Sequence, residues 1–151
     1  MVQSAGILMV RKKQEWEFLL LHTGGPYWEN KDLHAWSFPK GELDPDETTL
    51  AAAQREWKEE TGFALPELPY IKLPNVHNRT KTVHTYLVEG DVDASRLISN
   101  TYEQEWPPKS GVMCTFPEAD RAEWFSAHQA RKKIHKYLRV VIDHALHTLG
   151  D

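Results

Sequence analysis

Between Gly41 and Phe63 the chain reads GELDPDETTLAAAQREWKEETGF, and toward its end this segment sets Glu56, Glu59 and Glu60 at i, i+3 and i+4. On an α-helix that spacing projects all three carboxylates from one face within about one turn. Pro45 and acidic residues at one end and Gly62 at the other have the asymmetry of helix caps, so the spacing predicts a helix over about Asp46 to Thr61. Three clustered anions repel one another unless cations lie between them, and oxygen ligands suit hard ions such as Mg²⁺ or Mn²⁺. An isolated acidic string of this kind is an ordinary solvated helix face. Its surroundings argue otherwise. Arg55 stands four residues before Glu59, within reach to hold a carboxylate in position, and Leu50, Ala53 and Trp57 form an adjacent apolar stripe by which the helix docks on a sheet. Gly41 follows a short strand-like run and Pro39, where a side chain would obstruct a backbone oxygen or a phosphate coming close.

The rest of the chain alternates between strand-like and helical patterns. Ala5–Val10 and Trp16–Thr23 are β-like runs separated by five polar, mostly charged residues from Arg11 to Glu15, as in a hairpin or a pair of neighbouring strands. Ala35–Phe38 reads as a short strand ended by Pro39, and Tyr70–Val76 and Thr82–Glu89 as two more. Asp91 to Arg121 reads as a long irregular loop, the kind that is functional or disordered in a compact domain. Ala122–Phe125 is a short strand. A last helix opens at Ser126, with Gln129 completing a capping box, and runs on with Ile134, Leu138, Val141, Ile142, Ala145 and Leu149 on one face. Such alternation predicts an α/β layered domain, and 151 residues with 40% hydrophobic content suit a single domain over residues 1–151.

A formal charge of −4 gives the whole molecule no attraction for nucleic acid or an anionic membrane, so an anionic substrate has to be received by metals or local basic groups. Cys114 is the only cysteine, which rules out an internal disulfide and fits a reducing, cytoplasmic setting. The N-terminal apolar run is too short for a signal-peptide core or a membrane span. The eight histidines show no metal-ligand spacing and read as structural. The basic cluster Arg131, Lys132, Lys133, Lys136 and Arg139 reads as a solvated helix face.

The segment opening at Gly41 resembles the Nudix box: glycine, five residues, glutamate, seven residues, Arg-Glu-apolar-any-Glu-Glu, any residue, glycine, apolar. The fixed positions are Gly41, Glu47, Arg55, Glu56, Glu59, Glu60 and Gly62, with Trp57 and Phe63 in the apolar places, and none departs from the pattern. Seven residues of ordinary abundance coincide by chance on the order of 10⁻⁹ per window, so the match is specific although short. The stretch LLLHTGGPYWENKDLHAWSFPKGE is also similar to small stand-alone bacterial members of the family. The resemblance implies an α/β/α sandwich, with a mixed central sheet between the box helix and a C-terminal helix. It implies that Glu56, Glu59 and Glu60 hold Mg²⁺ or Mn²⁺ together with a backbone oxygen of Gly41, and that Glu47 is a structural partner of Arg55.

The implied activity is metal-dependent hydrolysis of a phosphoanhydride bond in a nucleoside diphosphate linked to another group. That class includes dinucleoside polyphosphates, nucleotide sugars and modified nucleoside triphosphates. Glu56, Glu59 and Arg55 are the expected catalytic residues, and the general base is either a box glutamate or a loop glutamate. Glu118, six residues before Trp124, is the leading loop candidate, with Glu103 and Glu105 competing. Lys40, Arg79 and Lys81 are candidates to meet phosphates, and Tyr27 and Trp28 to stack on a base, while Trp36 suits the core better. Two alternatives belong to other classes. A nucleotide sensor of the same fold typically loses box carboxylates, all of which are present, and a 5′-end RNA pyrophosphohydrolase is disfavoured by the acidic charge.

Overall fold

The computed structural model describes residues 1–67 and 69–151. In chain order its elements are β1 (Val2–Lys12), β2 (Trp16–Thr23), β3 (Trp36–Ser37), β4 (Lys40–Glu42), α1 (Thr49–Thr61), β5 (Ile71–Lys72), β6 (Val76–His77), β7 (Lys81–Glu89), β8 (Thr101–Glu105), β9 (Met113–Pro117), β10 (Ala119–Ser126), α2 (Ala127–Lys133) and α3 (Arg139–Leu149). The main sheet runs β10-β2-β1-β7-β5, with β3 added to β2, β4 to β1 and β6 to β7. β1 and β7 are parallel over Val2–Val10, and the other pairs are antiparallel, so the sheet is mixed as expected.

β1 is central, and both of its faces are buried. Leu8 and Val10 join Phe18, Leu20, Val83 and Leu87 on one face, covered by Ile134, Leu138, Val141, Ile142 and Ala145 from the C-terminal segment. Ala5, Ile7 and Met9 join Leu19, Leu21 and Val88 on the other, covered by Ala52, Ala53 and Trp57 of α1. The period-2 alternation of a strand thus feeds two cores. Trp57 is fully buried and its indole N–H donates to the Phe63 carbonyl at 2.8 Å, which locks the carboxylate-bearing helix onto the sheet at one register. Burial of an aromatic of this size contributes about 3 kcal/mol.

Several boundaries differ from the sequence expectation, each for a tertiary reason. α1 starts at Thr49, with the Thr48 side chain accepting from the Ala51 N–H at 3.1 Å, and not at Asp46, whose φ of 63° is left-handed and outside any helix. Gly62 ends α1 as expected, at φ 71°. The run Tyr70–Val76 is two short strands separated by Leu73-Pro74-Asn75, since Pro74 has no N–H for a ladder. Asp91–Arg121 is far from irregular. It holds a one-turn 3-10 helix at Ala94–Arg96 and the hairpin β8–β9, paired from Thr101↔Pro117 to Glu105↔Met113, and β10 already begins at Ala119.

The C-terminal helix is broken. Ser126 forms the expected capping box with Gln129, but α2 stops at Lys133 and Ile134 turns extended at ψ 149°. There the backbone pairs with β3: Trp36 bridges Ile134, and the His135 N–H donates to the Trp36 carbonyl at 2.9 Å. A 3-10 turn at Lys136–Leu138 leads into α3, so the apolar face is kept while His135 and Tyr137 are redirected. Among the described residues, no helix is long and apolar enough to cross a membrane.

Candidate active site

Arg55 organises the acidic face of α1. Its guanidinium grips Glu47 with two hydrogen bonds, Nε to Oε2 at 2.9 Å and Nη2 to Oε1 at 3.0 Å. Nη2 also donates to the Glu42 carbonyl at 3.0 Å, which ties the loop after β4 to the helix. Nη1 reaches Glu56 Oε1 at 2.8 Å and Glu59 Oε2 at 3.2 Å. The Arg55 hydrogen bonds and the Asp44 N–H hold the Glu47 carboxyl down at about 2, and the bonds to Glu47 and Glu56 raise Arg55 further. One cation thereby hydrogen-bonds three carboxylates and pairs with a fourth, Asp44 Oδ2 at 3.4 Å from Nε, and Glu60 is not among them.

Glu60 turns toward β4, where Oε2 accepts the Lys40 backbone N–H at 2.9 Å. Burial, the charge of Glu56 and a hydrogen bond with Glu56 push its carboxyl up to about 9. Gly41 sits in β4 opposite Ala5, with a φ outside the left-handed region, so the glycine answers a demand for space and not for conformation. A β-carbon there would lie 2.5 Å from Glu56 Oε2 and closer still to the rest of that carboxylate.

The hairpin roots complete the cavity. The Asn100 N–H donates to the Glu59 carbonyl at 2.7 Å, the Glu118 N–H to the Asn100 carbonyl at 2.8 Å, and the Gly24 N–H to the Glu118 carbonyl at 2.9 Å. This chain of backbone bonds brings Glu118, Asn100 and Thr101 beside Lys40, Gly41, Glu56, Glu59 and Glu60 around a cavity of about 330 Å³. Partial burial and the charge of Glu56 raise the Glu118 carboxyl as well.

An all-oxygen, strongly acidic donor set fits a hard divalent cation, and a carboxyl pair with one member held protonated near neutral pH is short of positive charge. As the side chains stand, no three acidic, histidine or cysteine groups among the described residues already form a ligand cage, because Arg55 holds Glu56 and Glu59 to itself. The fit lies in chemistry and charge, and it asks those two glutamates to turn toward Glu60.

A second cavity, of about 420 Å³, shares Lys40, Glu60 and Glu118 with the first and extends away past Trp28, Phe38, His135 and Tyr137. Trp28 meets the His135 ring edge to face, with centroids 5.0 Å apart. Tyr27 lines neither cavity. It is 64% exposed, with the Lys31 ammonium 3.6 Å above its ring. Arg79 and Lys81 also line neither: Arg79 is exposed in the turn before β7, and Lys81 pairs beside Val2 at the start of that strand.

Glu103 lies on the exposed face of β8, and Glu105 accepts the Lys109 and Gly111 N–H groups that close the hairpin turn, a structural task. Trp36 is buried in the core. Within the basic cluster, Arg131 pairs with Asp143 and Lys133 with Asp32, and none of its members lines either cavity.

Sequence reasoning missed Thr23, Asn100, Thr101, His135 and Tyr137. Of the eight histidines, read from the sequence as structural, His135, which the helix break aims into the second cavity, and His22 line that cavity. His22 is also a buried staple, its ring nitrogens meeting Asp120 Oδ1 at 2.7 Å and the Lys31 carbonyl at 2.6 Å, so it holds the loop that carries Trp28. A capped amphipathic pattern contains no sign that its helix will break, and no signal in the sequence marked these residues.

Comparison with known proteins agrees with this architecture. An asymmetrical bis(5′-nucleosyl)-tetraphosphatase of Caenorhabditis elegans is 40% identical over 68 residues, 44% of this chain and 45% of that protein. The corresponding enzyme of Mus musculus is 41% identical over 56 residues, 37% of this chain and 34% of that protein. An RNA pyrophosphohydrolase of Erythrobacter litoralis is 53% identical over 36 residues, 24% of this chain and 22% of that protein. The chain therefore spans less than half the length of these curated relatives. Among solved structures, a C. elegans Ap4A hydrolase binary complex superposes with a TM-score of 0.69 at 23% identity, covering 99% of this chain and 98% of that one. The NUDIX domain of Shewanella oneidensis NrtR complexed with ADP ribose gives 0.67 at 16% identity, covering 99% and 88%. At those identities the likeness is one of fold. The family model described as the NUDIX domain matches residues 2–145, nearly the whole chain and the complete motif from Gly41 to Phe63, and the chain belongs to that family.

Proposed function

We propose that this chain is a divalent-metal-dependent pyrophosphohydrolase that cleaves a phosphoanhydride bond in a nucleoside diphosphate linked to another group, with dinucleoside polyphosphates first among the candidates. The observation that carries the reading is the convergence of Glu56, Glu59, Glu60 and Glu118 with Lys40 on one cavity that opens into a second, partly aromatic one. Both volumes suit a small-molecule ligand. The tetraphosphatase relatives support placing dinucleoside polyphosphates first.

Glu56, Glu59, Glu60 and the Gly41 backbone oxygen would hold Mg²⁺ or Mn²⁺, which supplies neutralisation of the phosphate oxygens and activation of water. The remaining work falls to the chain. Arg55 keeps the carboxylates aligned while no substrate is bound. Lys40 contributes positive charge at the junction of the two cavities, where the diphosphate has to pass. Glu118, whose carboxyl is raised toward neutrality, is suited to take the proton from the attacking water. Attack on one phosphorus then releases two phosphorylated fragments. Trp28 and Tyr137 offer aromatic surface to a base in the second cavity.

The test is a Mg²⁺- or Mn²⁺-replete panel of dinucleoside polyphosphates, nucleotide sugars, nucleoside triphosphates and capped RNA. Cleavage of at least one small-molecule member is expected, together with a loss of about 100-fold or more in Glu59→Gln with the fold retained. Tight binding without cleavage of any member would make the chain a sensor, and cleavage of capped RNA alone would make it an RNA-end enzyme.

A further inference from the structure

A third cavity, of about 420 Å³, lies between the turn before β3 and the helices α2 and α3, and it shares no lining residue with the two described above. Arg131 and Lys132 of α2 and Arg139 of α3 line it together with His34 and His128. Asp143 brings the one carboxylate among the described lining residues. The protein as a whole carries a formal charge of −4, so a lining of three full cations against one anion runs counter to the rest of the molecule.

That anion is already taken. Asp143 pairs with Arg131, whereas neither Lys132 nor Arg139 has an acidic partner among the described residues. An exposed pair contributes little in water, so Arg131 can turn from Asp143 to a stronger anion at small cost. The frame around these side chains is fixed. Ala130 of α2 and Val141 and Ile142 of α3 are buried in the core, which sets the positions from which the three cations reach. The His34 N–H donates to the Lys132 carbonyl at 3.1 Å, and its ring Nδ1 lies 3.2 Å from the Ile134 carbonyl, so the turn is tied to the end of α2.

Guanidinium groups bind phosphate oxygens two at a time, and an ammonium adds a point charge beside them. Two unpaired cations match the charge of a phosphate monoester near neutral pH, about −1.5 to −2, where a carboxylate would bring only one. The cavity is in the size range of small-molecule sites and larger than a phosphate alone, and Leu33, 60% exposed, adds apolar surface for whatever the phosphate is attached to. We propose that this cavity is a metal-independent binding site for a phosphate-bearing small molecule, held by Lys132, Arg139 and Arg131. The site stands whether or not the hydrolase reading does. A free phosphate and the phosphoryl group of an organic molecule share this chemistry.

The experiment measures calorimetric binding of AMP and of inorganic phosphate in EDTA at low ionic strength, where the acidic cavity has no metal with which to hold an anion. The proteins are wild type, Lys132→Gln, Arg139→Gln and Lys136→Gln, with thermal unfolding as the control for fold. Lys136→Gln removes the same charge from the same basic segment but from a residue that does not line the cavity. Wild type is expected to bind at least one of the two with one-to-one saturation that weakens in high salt. Lys132→Gln and Arg139→Gln are each expected to weaken that binding about tenfold or more, and Lys136→Gln to leave it unchanged. Tighter binding of AMP identifies an organic phosphate as the ligand, and equal or tighter binding of inorganic phosphate a free one. No binding of either, equal loss in all three variants or loss in none overturns the proposal. Binding of a 5′-phosphorylated RNA oligonucleotide with neither small phosphate bound also overturns it, and makes the basic segment a nucleic-acid contact.

Discussion

Gly41→Ala separates the demand for space at this position from any demand for backbone freedom. The φ of Gly41 lies outside the left-handed region, so alanine meets no conformational obstacle. Its β-carbon would stand 2.5 Å from Glu56 Oε2, and ordinary contact begins near 3.4 Å. The carboxylate has to retreat by roughly 1 Å, and as the far end of a flexible side chain it can do so. The retreat breaks the 2.8 Å bond from Arg55 Nη1, whose other partners remain, so the cost to stability is about 1–2 kcal/mol. The cost to metal binding is larger in kind. Metal–ligand distances tolerate about 0.2 Å, and a displacement of 1 Å in a catalytic group is worth on the order of 100-fold in rate.

Calorimetric titration with Mn²⁺, thermal unfolding and kcat/KM on any cleaved member of the substrate panel would read the three effects separately. The expected result is a folded protein that melts a few degrees lower, binds Mn²⁺ at least about tenfold more weakly and loses about 100-fold in kcat/KM. Wild-type metal affinity and rate in Gly41→Ala would refute the assignment of Glu56 and the Gly41 strand to the metal centre. A protein that fails to fold would show instead that Glu56 cannot yield, contrary to the reasoning.

Glu60 makes metal-free stability depend on pH. Its folded carboxyl, at about 9, binds the proton more tightly than the unfolded one at 4.5, so its contribution is complete below 4.5 and lost as pH rises through 9. His135, folded at about 4 against 6.5, acts in the opposite sense between those values, which leaves pH 6.5–9 as the clean window. Wild type without metal is expected to lose up to roughly 3 kcal/mol across that window relative to Glu60→Gln, with saturating Mn²⁺ removing the difference; parallel pH profiles of the two proteins without metal would contradict this. Arg55→Lys keeps the charge but not the fork that grips Glu47 while reaching Glu56 and Glu59, so it is expected to lower kcat/KM by about 10- to 100-fold with an intact fold, and unchanged kinetics would contradict the role of Arg55. Trp57→Ala empties a fully buried site and removes the bond to Phe63, for an expected loss of about 3–5 kcal/mol in denaturant unfolding; a loss under about 1 kcal/mol would mean that α1 is not docked through this residue.

What the sequence determined by itself is the part of the molecule that local spacing controls. Glu56, Glu59 and Glu60 share a face because a helix has 3.6 residues per turn, and Gly62 ends that helix because it adopts φ 71° without strain. β1 and β2 were legible as a hairpin or a pair of neighbouring strands from two β-like runs and the charged residues between them, and the complete motif disclosed the family before any contact was known.

Tertiary structure alone decided the substrate side. Glu118 is separated in sequence from Glu59 by a hairpin, and only the backbone bonds of Asn100 bring them to one cavity. Tyr27, Arg79 and Lys81 have suitable chemistry but line neither cavity, since composition says nothing of direction. His135 and Tyr137 lie in a continuous helical pattern that the chain breaks, because the His135 N–H donates to the carbonyl of Trp36, a residue about one hundred positions away. The carboxylate cluster is set by periodicity within a single helix and can be read from that helix alone. The cavity beside it is set by non-local pairing, whose partners no local window contains.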